Sequence, residues 1–307
     1  MRSLNVPSRD SDPDSESGAE SKKPRRRRHK GLPSNLLFQV GYFAFDRSAP
    51  LGVSTFLSAL GSAFTALKAA DYLIFSSSAL GSASTATSSS SSAPSGVAPG
   101  HRPFAYALCR PPGHHAGASI YGGFCFLNNA ALAVDKLNRF TASGQSNSRV
   151  AFLDLDFHHG NGSQDIFYDR DSVFFVSIHA DPNTEFPYFS GYDDELGVGK
   201  GAGFNKNFPL PLGTQIDPYL QALDLALDSL VAFDPHFLVI SMGFDSCIYD
   251  LVGGFSLYPS DYTRIAARIA SRIKAPTLVV QEGGYDVRTL GECAINFLSP
   301  FAEIPEN

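Results

Sequence analysis

Hydrophobic and polar positions along the chain alternate between two kinds of pattern. From about Val53 to Phe75, Phe56, Leu57, Leu60, Phe64, Leu67 and Leu73 recur at spacings near 3.6, which predicts an amphipathic helix. A second helix is predicted from Phe124 to about Leu137, with Leu127, Ala131 and Val134 on one side. In a third, Asp217-Pro218 supplies an N-cap and a first-turn proline before the stripe Leu220, Leu223, Leu227 and Leu230. Tyr262, Ile265, Ile269 and Ile273 stripe a fourth. Between these lie short apolar runs at Phe104–Cys109, Val150–Leu155, Val173–Ile178, Phe237–Met242 and Thr277–Gln281. Continuous apolar strands interleaved with amphipathic helices predict an α/β fold, a parallel sheet covered on both faces. In such sheets functional residues gather at the carboxyl ends of the strands.

Two stretches carry no such pattern. Residues 1 to about 33 are polar, charged and rich in Ser, Pro and Arg, which predicts a disordered tail. Its basic block, Lys22-Lys23-Pro24-Arg25-Arg26-Arg27-Arg28-His29-Lys30, is a nuclear address, a nucleic-acid contact or simply a solvated charged segment. Residues 76–100, with five serines from Ser88 to Ser92, read as a flexible insertion within one domain spanning 34–307.

Composition narrows the picture. A chain of 307 residues, 43% of them hydrophobic, can bury a sizeable core. The net charge of -6 argues against a general nucleic-acid-binding surface, the basic tail aside. Cys109, Cys125, Cys247 and Cys293 form no C-x-x-C pair, so reduced thiols are expected rather than a disulfide framework. No run of about 18 apolar residues occurs, so no membrane span is expected. The acidic N-terminus lacks the apolar region of a secretory signal, and a nuclear or cytoplasmic location is expected.

Chemistry concentrates where the strands end. Phe104–Cys109 leads to Arg110-Pro111-Pro112-Gly113-His114-His115-Ala116, and Val150–Leu155 to Asp156-Phe157-His158-His159-Gly160-Asn161-Gly162. Phe237–Met242 leads to Gly243-Phe244-Asp245, and Thr277–Gln281 to Glu282-Gly283-Gly284-Tyr285. Asp156 and His158, two apart at a strand tip, can point the same way. With Asp245 they make three candidate ligands, the number a catalytic zinc needs beside an open position for water or substrate. His114 and His115 are candidates for proton transfer, with Asp154 and Asn161 as orienting acceptors. Tyr285, on a Gly-Gly turn, is a candidate donor to a developing oxyanion. His159 and His179 read as packed or surface histidines.

These motifs, with Gly122-Gly123-Phe124-Cys125-Phe126-Leu127-Asn128-Asn129, resemble the zinc-dependent histone deacetylase superfamily from about Phe45 to Phe301. The stretch Phe186-Pro187-Tyr188-Phe189-Ser190-Gly191 leans toward its acetylpolyamine amidohydrolase and class II-like branch. The resemblance implies a three-layer arginase/deacetylase fold with an eight-stranded parallel sheet. It implies one catalytic zinc on Asp156, His158 and Asp245, His115 as general base and acid, and His114 as its electrostatic partner. Tyr285 would polarise the carbonyl, while Phe124 and Phe189, with Gly123, would wall the acyl-lysine channel. A potassium site would lie among Asp154, Asp156, His158, Ser177 and Ile178. The substrate implied is an acetylated protein lysine or an acetylpolyamine.

Departures from the pattern matter. Asn161 stands where some branches have Asp; an amide can orient His115 but cannot charge-stabilise it. Cys247 stands where many relatives have His. Relatives begin with a strand and a rim loop where this chain has its polar tail, so the strand count and the completeness of the front stay open. An arginase-type binuclear manganese site would need carboxylates at the positions of Gly160 and Cys247, and neither is present. A non-catalytic scaffold of the same fold is the remaining alternative.

Overall fold

The computed structural model describes residues 32–83, 102–140 and 148–302. The basic block, nearly all of the predicted tail and the predicted insertion from residue 84 to 100 lie outside the described residues. In chain order the elements are α1 (Leu36–Phe43), α2 (Thr55–Ala83), β1 (Phe104–Ala107), α3 (Asn129–Arg139), β2 (Val150–Asp154) and α4 (Asn161–Phe167). They continue with β3 (Val173–Ala180), β4 (Asn205–Leu210), α5 (Ile216–Phe233), β5 (Phe237–Met242), α6 (Asp261–Arg272), β6 (Thr277–Gln281) and α7 (Leu290–Ala302).

Six strands form one sheet in the order β1-β6-β5-β2-β3-β4, and every pairing is parallel. The eight strands implied by the resemblance are thus six among the described residues. Alternate strand residues feed two cores. Ala151, Leu153, Leu238 and Ile240 face α5, α6 and α7 on one side. Val150, Phe152, Phe237 and Val239 face α2 and α3 on the other. Helices on both faces give the predicted three layers. Phe152 lies fully buried against the rings of Phe167 and Phe175, where truncation to Ala would cost about 3–5 kcal/mol.

Several boundaries differ from the pattern, each for a physical reason. β4 escapes detection because Asn205 and Asn207 interrupt its apolar run; both are buried and donate to Gln164 Oε1 at 2.9 Å. α2 continues to Ala83, into the stretch read as a linker. Its inward face is Ala59, Ala63, Ala66, Ala70 and Leu73, while Phe56, Leu57 and Phe64 point outward. Small residues, not the aromatic stripe, let α2 lie close on α3. α3 starts at Asn129 rather than Phe124, because Gly123 (φ 57°) and Phe124 (φ 64°) are left-handed and Asn128 caps the amide of Ala131. The cap of α5 is Gln215, which puts Pro218 at the third helical position. α6 keeps its predicted stripe, with Ile273 as C-cap. Among the described residues no helix is long and apolar enough to cross a membrane.

Candidate active site

The four chemistry-bearing loops leave the carboxyl ends of β1, β6, β5 and β2, which stand side by side in the sheet. At the centre, His158 Nδ1 lies 3.3 Å from Asp156 Oδ1 and 3.1 Å from Asp245 Oδ2. Ligand atoms of these three side chains fall within 4.8 Å of one another. Tetrahedral coordination with bonds of about 2.0–2.1 Å sets ligand atoms roughly 3.3 Å apart, so this spacing suits zinc. Backbone amides fix the carboxylates: Gly283 N–H donates to Asp156 Oδ2 at 2.9 Å and Phe157 N–H to Asp245 Oδ1 at 3.1 Å. Neither Gly243 nor Gly283 could carry a Cβ without striking Asp156 and Asp245. Among the described residues this is the one metal-ligating cluster of its kind.

Electrostatics describe the same preference. Burial and the charge of Asp156 push the Asp245 carboxyl up to about 6. Burial also opposes ionisation of Asp156, but His114 and His158 outweigh it and hold its pKa far below the carboxylate range. Against the cost of burial, the two carboxylates lift His158 to about 10. A divalent cation can replace that proton, because a ligating imidazole nitrogen must be unprotonated.

Beside this cluster the paired histidines divide their roles. His114 Nδ1 meets Asp154 Oδ2 at 3.1 Å, and its Nε2 lies 3.6 Å from Asp156 Oδ1. Burial works against its protonation, yet Asp156 and Asp154 raise it to about 10. His115 Nδ1 meets Asn161 Oδ1 at 2.8 Å. An amide oxygen can only accept, so Nδ1 carries the proton and Nε2 is left as a base. Burial and the charge of neighbouring His114 hold His115 well below its ordinary pKa, hence neutral. One ring sits between two carboxylates that favour its protonated form; the other keeps a free nitrogen that can take and return a proton.

A scan against protein families matches residues 42–300 to the histone deacetylase domain. The chain belongs to the histone deacetylase family. Acetylpolyamine amidohydrolase 1 of Pseudomonas aeruginosa is 43% identical over 277 residues, 90% of this deacetylase and 71% of that protein. Acetylpolyamine amidohydrolase of Mycoplana ramosa is 38% identical, covering 91% and 73%. The crystal structure of the Burkholderia pseudomallei acetylpolyamine aminohydrolase superposes with a TM-score of 0.76 at 36% identity, over 89% of this chain and 71% of that one.

The approach to the deacetylase centre is aromatic. Phe124 packs edge-on against Tyr285 at 5.6 Å between centroids. Gly123 passes so close that a Cβ would strike the His115 ring, and its N–H donates to Asp46 Oδ2 at 2.7 Å. The inner ring opposite is Phe186, 4.9 Å from His115 and 6.1 Å from His158. Phe189, the wall implied by the resemblance, sits one layer farther out, 57% exposed and against Phe45. With Phe186, Tyr188 and Phe189 in one stretch, local sequence does not say which ring turns inward.

Asp154 and Ser177 stand opposite each other in the β2–β3 register, and Ile178 is buried beside them. The Ser177 hydroxyl is 2.7 Å from His179 Nδ1 and 3.4 Å from His159 Nδ1. Gly160 could not be a carboxylate, because a Cβ there would overlap Asp154.

Two buried carboxylates hold the loops: Glu282, named in its motif but given no role from sequence, and Asp250, which the sequence reading did not single out. Glu282 accepts from Gly113 N–H at 2.6 Å, His114 N–H at 3.2 Å and Ser241 Oγ at 2.8 Å, tying the histidine loop to β5 and β6. Burial raises it to about 7. Asp250 accepts from the amides of Tyr285, Asp286 and Val252. A carboxylate directly after the buried strand Thr277–Gln281 was the available signal for Glu282; nothing local marked Asp250.

Proposed function

We propose that this deacetylase hydrolyses the acetyl amide of an N-acetylated linear amine, an acetylpolyamine, with one zinc ion held by Asp156, His158 and Asp245. The observation that carries the reading is the neutral His115, fixed by Asn161, beside a buried carboxylate–imidazole cluster of zinc-like spacing. The acetylpolyamine amidohydrolases match over 88–91% of the chain, whereas histone deacetylases at 39–40% identity match over 59–67% of it, which favours the polyamine over acetylated protein lysine.

Bound there, zinc would supply Lewis-acid polarisation of the acetyl carbonyl and acidify a water toward neutral pH. His115 Nε2 takes the proton of the attacking water and later delivers it to the departing nitrogen. A C–O bond forms, the C–N bond breaks, and acetate and free amine leave. His114, held cationic between Asp154 and Asp156, favours the charge that gathers on the acetyl oxygen. Burial and the charges of Asp245 and Asp156 push the Tyr285 phenol far above its ordinary pKa, so its O–H stays a donor to that oxygen. Phe186 and Phe124 exclude water and hold the extended alkyl chain. A potassium ion among Asp154, Asp156, His158, Ser177 and Ile178 belongs to the same proposal, supported by the burial of Asp154 and its register with Ser177.

The test is acetate release from acetylputrescine, acetylspermidine and an acetyl-lysine peptide, with zinc and with a chelator. Zinc-dependent turnover, fastest on the polyamines, is expected. A folded, zinc-loaded chain that releases no acetate from any of the three would overturn the reading.

A further inference from the structure

Tyr285 is poorly held by its own surroundings. It follows Gly283-Gly284, with Gly284 at φ 119°, and the residue is 38% exposed. Among the described residues its ring has one aromatic neighbour, Phe124, itself exposed. The amide is another matter. Asp250 Oδ2 accepts from Tyr285 N–H at 2.5 Å and from Asp286 N–H at 2.9 Å, while Oδ1 accepts from Val252 N–H at 2.9 Å. The Asp250 amide in turn donates to Cys247 O at 2.9 Å, so the carboxylate is anchored on the loop that carries Asp245. Asp250 is buried and is not one of the three residues of the metal-ligating cluster.

One carboxylate oxygen receiving two consecutive amides is a charge-assisted clamp on a two-residue turn. It fixes the backbone from which the phenol projects. It also ties the turn to the loop that carries Asp245. The pattern parallels Glu282, which takes the consecutive amides of Gly113 and His114. The histidine loop, however, is buried and packed in its own right; the tyrosine turn is not.

From this geometry we infer that Asp250 is a positioning residue for Tyr285, setting its placement over the acetyl oxygen rather than touching substrate. The inference rests on the reading of Tyr285 as the carbonyl donor. Loss of the clamp lets the phenol wander, and a displacement near 1 Å at a reacting centre costs on the order of 100-fold in rate.

The experiment is a double-mutant cycle on the zinc-loaded full chain, Asp250→Ala and Tyr285→Phe, singly and together, with kcat and KM measured on an acetylpolyamine. Asp250→Ala is expected to lower kcat by about 10–100-fold with KM little changed. In the Tyr285→Phe background the same change should do almost nothing. Asp250→Asn, which keeps an accepting oxygen and the fold, should fall between. Effects that add fully across the cycle would mean a general structural role and overturn the inference. A second readout does not depend on turnover: the 19F linewidth of 3-fluorotyrosine introduced at position 285. Narrowing in Asp250→Asn supports the clamp, and an unchanged line sinks it, even if native protein releases no acetate and the deacetylase reading itself fails.

Discussion

At the end of β2 the chain builds two histidine clusters from adjacent residues, His158 toward one side and His159 toward the other. His158 meets the carboxylates of Asp156 and Asp245 and is pushed up to about 10. His159 lies tilted against His179 with ring centroids 4.4 Å apart, the Ser177 hydroxyl near both Nδ1 atoms and, among the described residues, no carboxylate hydrogen-bonded to either ring. Burial keeps both of these neutral, His179 falling to about 4. His179 Nε2 donates to Gly191 O at 2.9 Å, which seats the loop that carries Phe186 and Phe189. Both clusters are built on a histidine at the end of β2, and what sets them apart is carboxylate company. That company makes one a place for a cation and leaves the other as packing.

The comparison can be broken by variants, beginning with the largest effect. His115→Ala should lower kcat by about 10²–10⁴-fold while zinc content, read by elemental analysis, stays at one per chain. Tyr285→Phe should cost about 10²–10³ in kcat, the worth of one oxyanion donor. Phe186→Ala should raise KM for acetylspermidine roughly tenfold and Phe189→Ala far less; equal effects would return Phe189 to the channel wall. His179→Gln should leave kcat/KM within about threefold, since its ring faces no reacting atom, yet lose about 1–3 kcal/mol. For a domain of this size that is a melting shift of roughly 2–10 °C. If His179→Gln instead abolished turnover as His115→Ala does, the division between the clusters would fail.

Acid sharpens the same contrast. His179 has a folded pKa of about 4, below the roughly 6.5 of an unfolded histidine. Above pH 6.5 the ring is neutral in both states. As pH falls from 6.5 toward 4 the unfolded chain takes up a proton that the native ring refuses, so stability drops. Thermal melts across that window should show native protein and His179→Gln converging as the pH is lowered.

Much of this was legible in the chain before folding. The buried strands announced themselves as continuous apolar runs, because a doubly covered parallel sheet tolerates little else. Asp156, His158, Asp245 and the histidine pair stood out because polar side chains cluster there after apolar ones. What stayed hidden was set by tertiary partners. β4 hides behind Asn205 and Asn207, whose burial is satisfied by Gln164 far away in sequence. α2 turns alanines rather than aromatics inward because α3 must approach closely. Phe186 wins over Phe189 through contacts with His115, and Asp250 matters only once β5 and β6 pair.

The strand order carries one further consequence, for how the molecule is made. Among the described residues β1 lies at the sheet edge beside β6, the last of their strands, and Gly113 meets Glu282 across 169 positions. On a ribosome, Asp156 and His158 emerge well before Asp245 and Tyr285. Contacts this distant in sequence form late, after slow loop closure. A nascent chain that has not yet reached β5 therefore holds two of the three candidate ligands and lacks the Gly283 amide that fixes Asp156. Any metal held there would be fitted to the finished sheet rather than seed its growth.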